Sequence, residues 1–274
     1  MASCLPSLRA LSALGALVVC VACVCSGTGG AAYAADSSPP PTVLAHRPSP
    51  DGRLRHGPPA PAPGTLAYRV LHMRGSLRVG SHGPAVLLLQ DELARLRYEV
   101  PVSGRFDEAT GRAVLAFRKV AGLERIESAN AGLFQRLRDG AGRFHVRYPG
   151  DGDHVEADLS KQVLVEVERR GRVRRILTMS SGKPSTPTVL GRFRVYSKTP
   201  GTNSEGMVDS NYFIRGYAIH GYAEVPAYAA SHGCLRIPIP NAPAVFGWVQ
   251  LGYPVDVYTD NGRGSRVVRA DAGP

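Results

Sequence analysis

His220, His232 and Cys234 are the residues of this chain whose types and spacing could do covalent chemistry. They lie in "AIHGYAEVPAYAASHGCLRIP", with a glycine next to each of them. Acyl transfer by a thiol needs a thiolate, a base or cation that favours it, and donors for the developing oxyanion. Cys234 supplies the sulfur. A free thiol has a pKa of about 8.5, which pairing with an imidazole can lower by several units. Gly233 lets the backbone pass close to a substrate, so the N–H groups of Gly233 and Cys234 are expected to aim at one oxygen.

The choice of base follows from the spacing. His232 and Cys234 are two residues apart, so on an extended backbone their side chains run parallel from one face and seldom meet end-on. His220 ends a strand-like run, and a neighbouring strand can present its imidazole to the thiol. His220 is therefore expected as the base and His232 as an orienter or substrate contact. Glu224 is the nearest carboxylate in sequence, but a backbone carbonyl such as that of Gly221 can equally fix the tautomer. Two other readings compete. The histidines could be satisfied core residues beside an inert thiol, or His220, His232 and Cys234 could be three zinc ligands with an open water position. No H-E-x-x-H or C-x-x-C accompanies them beyond residue 34, and no metal or cofactor is expected.

Cysteine usage favours a reactive thiol. Of the five cysteines, Cys4, Cys20, Cys23 and Cys25 fall within residues 1–34. That segment has one positive charge, Arg9, an apolar run from Ala10 to Cys25, and Ala32-Tyr33-Ala34 as an A-x-A cleavage pattern. It reads as a secretory signal peptide, and the run is shorter than the roughly 20 residues of a membrane span. Cleavage leaves Cys234 alone, with no intramolecular disulfide to make. The expected location is secreted, on the wall side of a bacterial membrane, without an integral span. The formal charge of +11 then suits acidic wall polymers better than nucleic acid, for which no motif is present.

Residues 35–66 form a Pro-rich linker, with nine prolines and few large apolar side chains, too poor to bury a core. Residues 67–140 carry helical periodicity. Pro84 suits a first turn ahead of Val86, Leu89, Leu93 and Leu96; Asp107 is a natural N-cap for a helix closed by Gly122; a third short helix covers Ala131 to Arg138. Residues 141–260 turn to period-2 alternation, clearest at Val163, Val165 and Val167, with a turn at Arg170-Gly171 and one helix after Asn241. Residues 261–274 read as a disordered tail. The fold expected is thus two domains: a small all-α three-helix domain, then a mostly-β curved sheet or sandwich with one C-terminal helix.

Two resemblances sharpen this reading. "LRVGSHGPAVLLLQDELARLRY", "GRFDEATGRAVLAF" and "AGL" resemble the type 1 peptidoglycan-binding domain, with Arg118 where that family usually has Gln. "DLSKQVLVEV", "SSGKPSTPTVLGRF", "GYAIH" and "SHGCLRIP" resemble the L,D-transpeptidase (YkuD-type) catalytic domain. The second resemblance implies Cys234 as nucleophile, His220 as proton carrier and the Gly221 carbonyl as orienter. Ser231, His232 and Gly233 would shape the pocket, and Arg236 could clamp a peptide carboxylate. It further implies a thioester with a tetrapeptide stem, passed to an acceptor amine to give a 3-3 cross-link. Water as acceptor would make an L,D-carboxypeptidase, and a protein amine would give attachment to the wall. A non-catalytic wall-binding protein is the alternative from another class. The partners expected are peptidoglycan stem peptides and glycan, met by a monomer.

Overall fold

The computed structural model describes residues 58–260. The expected signal peptide, most of the Pro-rich linker and the C-terminal tail lie outside the described residues.

Four helices come first: α1 (Leu66–Leu71), α2 (Pro84–Arg95), α3 (Glu108–Val120) and α4 (Ala131–Arg138). The last three are those the periodicity predicts. Asp107 caps α3 by accepting the Thr110 N–H at 2.8 Å, and Gly122 follows it at a φ of +66°. The helix α1 was not expected. Thr65 caps it through the Tyr68 N–H, where the sequence reads only the end of a linker. Two short strands, β1 (Ser76–Leu77) and β2 (Ala129–Asn130), pair antiparallel and tie the start of this block to its end.

The strand-rich part holds β3 (His154–Asp158), β4 (Val163–Glu168), β5 (Arg172–Thr178), β6 (Gly191–Arg194), β7 (Ser197–Thr202), β8 (Val208–Ile214), β9 (Tyr217–Tyr222) and β10 (Leu235–Pro238). The helix α5 (Ala242–Trp248) and the strand β11 (Pro254–Tyr258) complete it. One sheet runs β5-β4-β3-β11-β6, the other β10-β9-β8-β7. Only the β11–β3 and β10–β9 pairs are parallel. Between the sheets lies an apolar layer that includes Val155, Leu164, Leu177 and Val255 from the first and Phe213, Ile219, Leu235 and Ile237 from the second, with Ala242 and Val245 of α5. This is a sandwich with a C-terminal helix, preceded by a helical block.

The pleat explains why β4 is buried on both faces. Leu164 points into the sandwich, while Val163, Val165 and Val167 point the other way and share a core with Val114 and Phe117 of α3 and Leu89 and Leu93 of α2. Ile176 joins them from β5. All four sheet residues are at most 1% exposed. Burying side chains of this size stabilises by about 1.5–3 kcal/mol each, so the strip contributes roughly 6–12 kcal/mol. The helical block and the sandwich are therefore not two beads on a string. Backbone bonds reinforce the seam: Glu99 N–H donates to the Ile176 carbonyl and Ile176 N–H to the Arg97 carbonyl.

Candidate active site

The parallel pair β9–β10 builds the site. In its register Arg236 stands across from His220 and Leu235 across from Ile219. Cys234 precedes β10 by one residue and shares a face with Arg236, so register and pleat put the thiol diagonal to His220, within side-chain reach. His232, two residues earlier, has left the strand and is exposed. The three candidates are not gathered round one point: among the described residues no group of three His, Cys, Asp or Glu could hold a metal ion.

His220 is 2% exposed, and its Nδ1 lies 2.9 Å from the Gly221 carbonyl. A carbonyl only accepts, so the proton sits on Nδ1 and Nε2 is left with its lone pair. Glycine is required at 221 because any Cβ there would come within 2.7 Å of the Ala242 Cβ on α5. Burial holds the His220 pKa below its ordinary value. The Gly221 bond opposes that shift and the Arg236 guanidinium adds to it.

Cys234 is half-buried, and its Sγ lies 3.9 Å from the Gly216 carbonyl. Burial pushes the thiol up, offset only in part by the Ala218 N–H and by Arg236. This corrects the expectation that an imidazole partner would draw the thiol down. Here both groups are held neutral, thiol beside imidazole, because desolvation penalises either charge. Gly233 N–H is already spent on Ser231 Oγ at 3.0 Å, and that hydroxyl donates to the Cys234 carbonyl at 2.6 Å. Ser231 therefore clamps the turn that presents the thiol. Gly233 adopts a φ of +125° there, with the Tyr217 ring only 2.4 Å from where a Cβ would stand.

The segment 180–188 backs this turn. Ser180 and Arg236 exchange N–H···O bonds at 3.0 Å in both directions, and the Ser181 carbonyl accepts from Ala230 and Ser231. Thr188 Oγ1 donates to the Gly233 carbonyl at 2.8 Å. Lys183 Nζ lies 3.2 Å from His232 Nε2, so the ammonium donates to that lone pair and occupies it. Arg236 is anchored over the Tyr222 ring, 3.9 Å from its centroid. Sequence reasoning missed Lys183, Thr188, Tyr217 and Tyr222 as neighbours of the site. Spacing gives no sign of contacts that cross tens of residues; the one available signal was the run of Ser, Gly and Thr in "SSGKPSTPT".

The L,D-transpeptidase catalytic domain model matches residues 152–257, and a peptidoglycan binding domain model matches residues 82–125. The crystal structure of an L,D-transpeptidase fragment from Xylanimonas cellulosilytica is 34% identical, with a TM-score of 0.63, across 68% of this chain and 98% of that one. The chain belongs to the L,D-transpeptidase family. L,D-transpeptidase 1 of Mycobacterium tuberculosis, in strains H37Rv and CDC 1551, is 32% identical over a region covering 33% of this chain and 45% of the relative. The chain thus spans less than half the length of the curated relatives it matches. L,D-transpeptidases are typically cysteine-dependent transferases of the cell wall, so membership implies an extracytoplasmic location. No helix among the described residues is long and apolar enough to cross a membrane.

Proposed function

We propose that this L,D-transpeptidase cross-links peptidoglycan stems through a thioester on Cys234. The observation that carries the reading is the His220 tautomer: with Nδ1–H held by the Gly221 carbonyl, Nε2 is the free base on the face that Cys234 shares. His232 is the weaker candidate because Lys183 already occupies its Nε2.

Nε2 of His220 takes the Cys234 thiol proton as sulfur attacks the carbonyl of the third residue of a tetrapeptide stem. The oxyanion is met by the N–H of Cys234 itself, since that of Gly233 is committed to Ser231. Collapse breaks the amide bond, and the imidazolium returns its proton to the departing D-alanine. The acceptor amine then attacks the thioester, loses a proton to His220 and regenerates the thiol, leaving a 3-3 cross-link. Starting from a neutral pair suits this order of events, because charge separates only when substrate arrives. Ser231 and Gly233 shape the pocket, His232 lines its rim, and Arg236 meets a stem carboxylate. The helical block supplies glycan binding, in keeping with the domain model it matches.

Mass spectrometry of the protein incubated with a disaccharide-tetrapeptide tests the reading. An adduct on Cys234 equal to the stem minus D-alanine is expected. A protein that remains unmodified while cross-linked product accumulates would defeat it.

A further inference from the structure

Lys119 sits in the last turn of α3, outside the catalytic domain match, yet it is 3% exposed. Its Nζ donates to the Gln162 carbonyl at 3.0 Å, Thr178 Oγ1 at 2.7 Å and the Met179 carbonyl at 3.0 Å. An ammonium has three N–H bonds, and all three are spent on the sandwich. Six residues on, Arg125 reaches the Ala227 carbonyl at 2.8 Å and the Ser160 carbonyl at 2.9 Å.

The acceptors are not scattered. Met179 leads into Ser180, which trades both backbone bonds with Arg236, two residues beyond the thiol. Ser180 Oγ also donates to the Tyr228 carbonyl at 2.7 Å, next to the carbonyl that Arg125 holds. Ala227 and Tyr228 belong to the loop joining His220 to Ser231. Two basic side chains of the helical block therefore grip both routes into the site: the segment that backs Cys234 and the loop that sets its distance from His220. Simple adhesion would not need them, since a buried charge is costly and an apolar side chain at 119 would extend the shared core.

We propose that Lys119 and Arg125 are positioning residues for the thiol–imidazole pair, which makes the helical block part of the catalytic apparatus as well as a wall anchor. This rests on the thioester reading above, and the test separates the two. Arg125→Ala, Arg125→Lys and Lys119→Met are made in the full chain. For each, kcat and KM on a soluble tetrapeptide, retention on sacculi, and the rate of Cys234 alkylation by iodoacetamide are measured. Small misplacements of reacting groups are costly, so Arg125→Ala is expected to lower kcat roughly ten-fold, with KM within about two-fold. Sacculus retention should be unchanged and the alkylation rate altered. Arg125→Lys, which keeps one donor for Ala227, should restore most of the loss, and Lys119→Met should repeat the pattern with a lower Tm. Wild-type kcat and alkylation in folded Arg125→Ala would overturn the proposal, as would loss of sacculus retention in step with activity. Should the wild-type protein turn over no tetrapeptide, the functional reading fails while alkylation still decides the positioning role: an altered rate in Arg125→Ala upholds it, and an unaltered one overturns it.

Discussion

Arg236 and His220 stand directly opposite each other on parallel strands, with the guanidinium stacked on Tyr222 and the imidazole fixed by its own following carbonyl. After burial, that guanidinium is the group that acts on both members of the pair. It disfavours the imidazolium and favours the thiolate, lowering both pKa values.

Replacing Arg236 by Gln is therefore expected to move two pH profiles the same way. Activity needs neutral His220, whose pKa lies below the ordinary 6.5, so the acid limb of kcat/KM falls below that pH in the wild type. Without the cation the limb should rise, and the alkylation profile of Cys234 should rise too. Opposite movements, or none, would show that the charge is not felt at the site.

Cys234→Ser should abolish cross-linking in a folded protein, because a hydroxyl is a far weaker nucleophile at neutral pH. His220→Ala should cost nearly as much, whereas His232→Ala should leave measurable turnover. Rates on a soluble tetrapeptide decide this, and a larger loss for His232→Ala would reverse the assignment of the base.

Gly233→Ala places a methyl against the Tyr217 ring at a φ that L residues rarely adopt. Strain and overpacking together cost about 2–6 kcal/mol, a drop in Tm of roughly 4–24 °C for a body of this size. A thermal melt unchanged from wild type would mean the turn relaxes freely.

Deleting residues 36–138 uncovers Val163, Val165, Val167 and Ile176. Their roughly 6–12 kcal/mol of burial is comparable with the about 5–15 kcal/mol that holds a typical protein folded. The remaining fragment is expected to aggregate or to bind a hydrophobic dye, and a monomeric, dye-free, fully active fragment would contradict the shared core.

Much of the site was legible. The two-residue spacing keeps His232 from meeting Cys234 end-on, and a strand reaching His220 is visible in "GYAIH", although β9 runs on to Tyr222. The direct opposition of Arg236 and His220 was not, because a parallel pair joined by a twelve-residue loop carries no register signal. Nor was the capture of the Gly233 N–H, which depends on one hydroxyl rotamer. The alternation of Val163, Val165 and Val167 announces a strand with one apolar face but not what covers it. Lys119 reads as the polar edge of an amphipathic helix, and only the fold shows three acceptors waiting for it.

The shared core also bears on how such chains diversify. A wall-binding module joined by a free tether can be exchanged by recombination, since neither partner depends on the other's surface. Here the join at residues 139–153 separates two segments whose apolar faces are complementary, so a crossover there would graft a foreign helix onto the valine strip of β4. Substitutions on α3 are therefore answerable to β4 and β5.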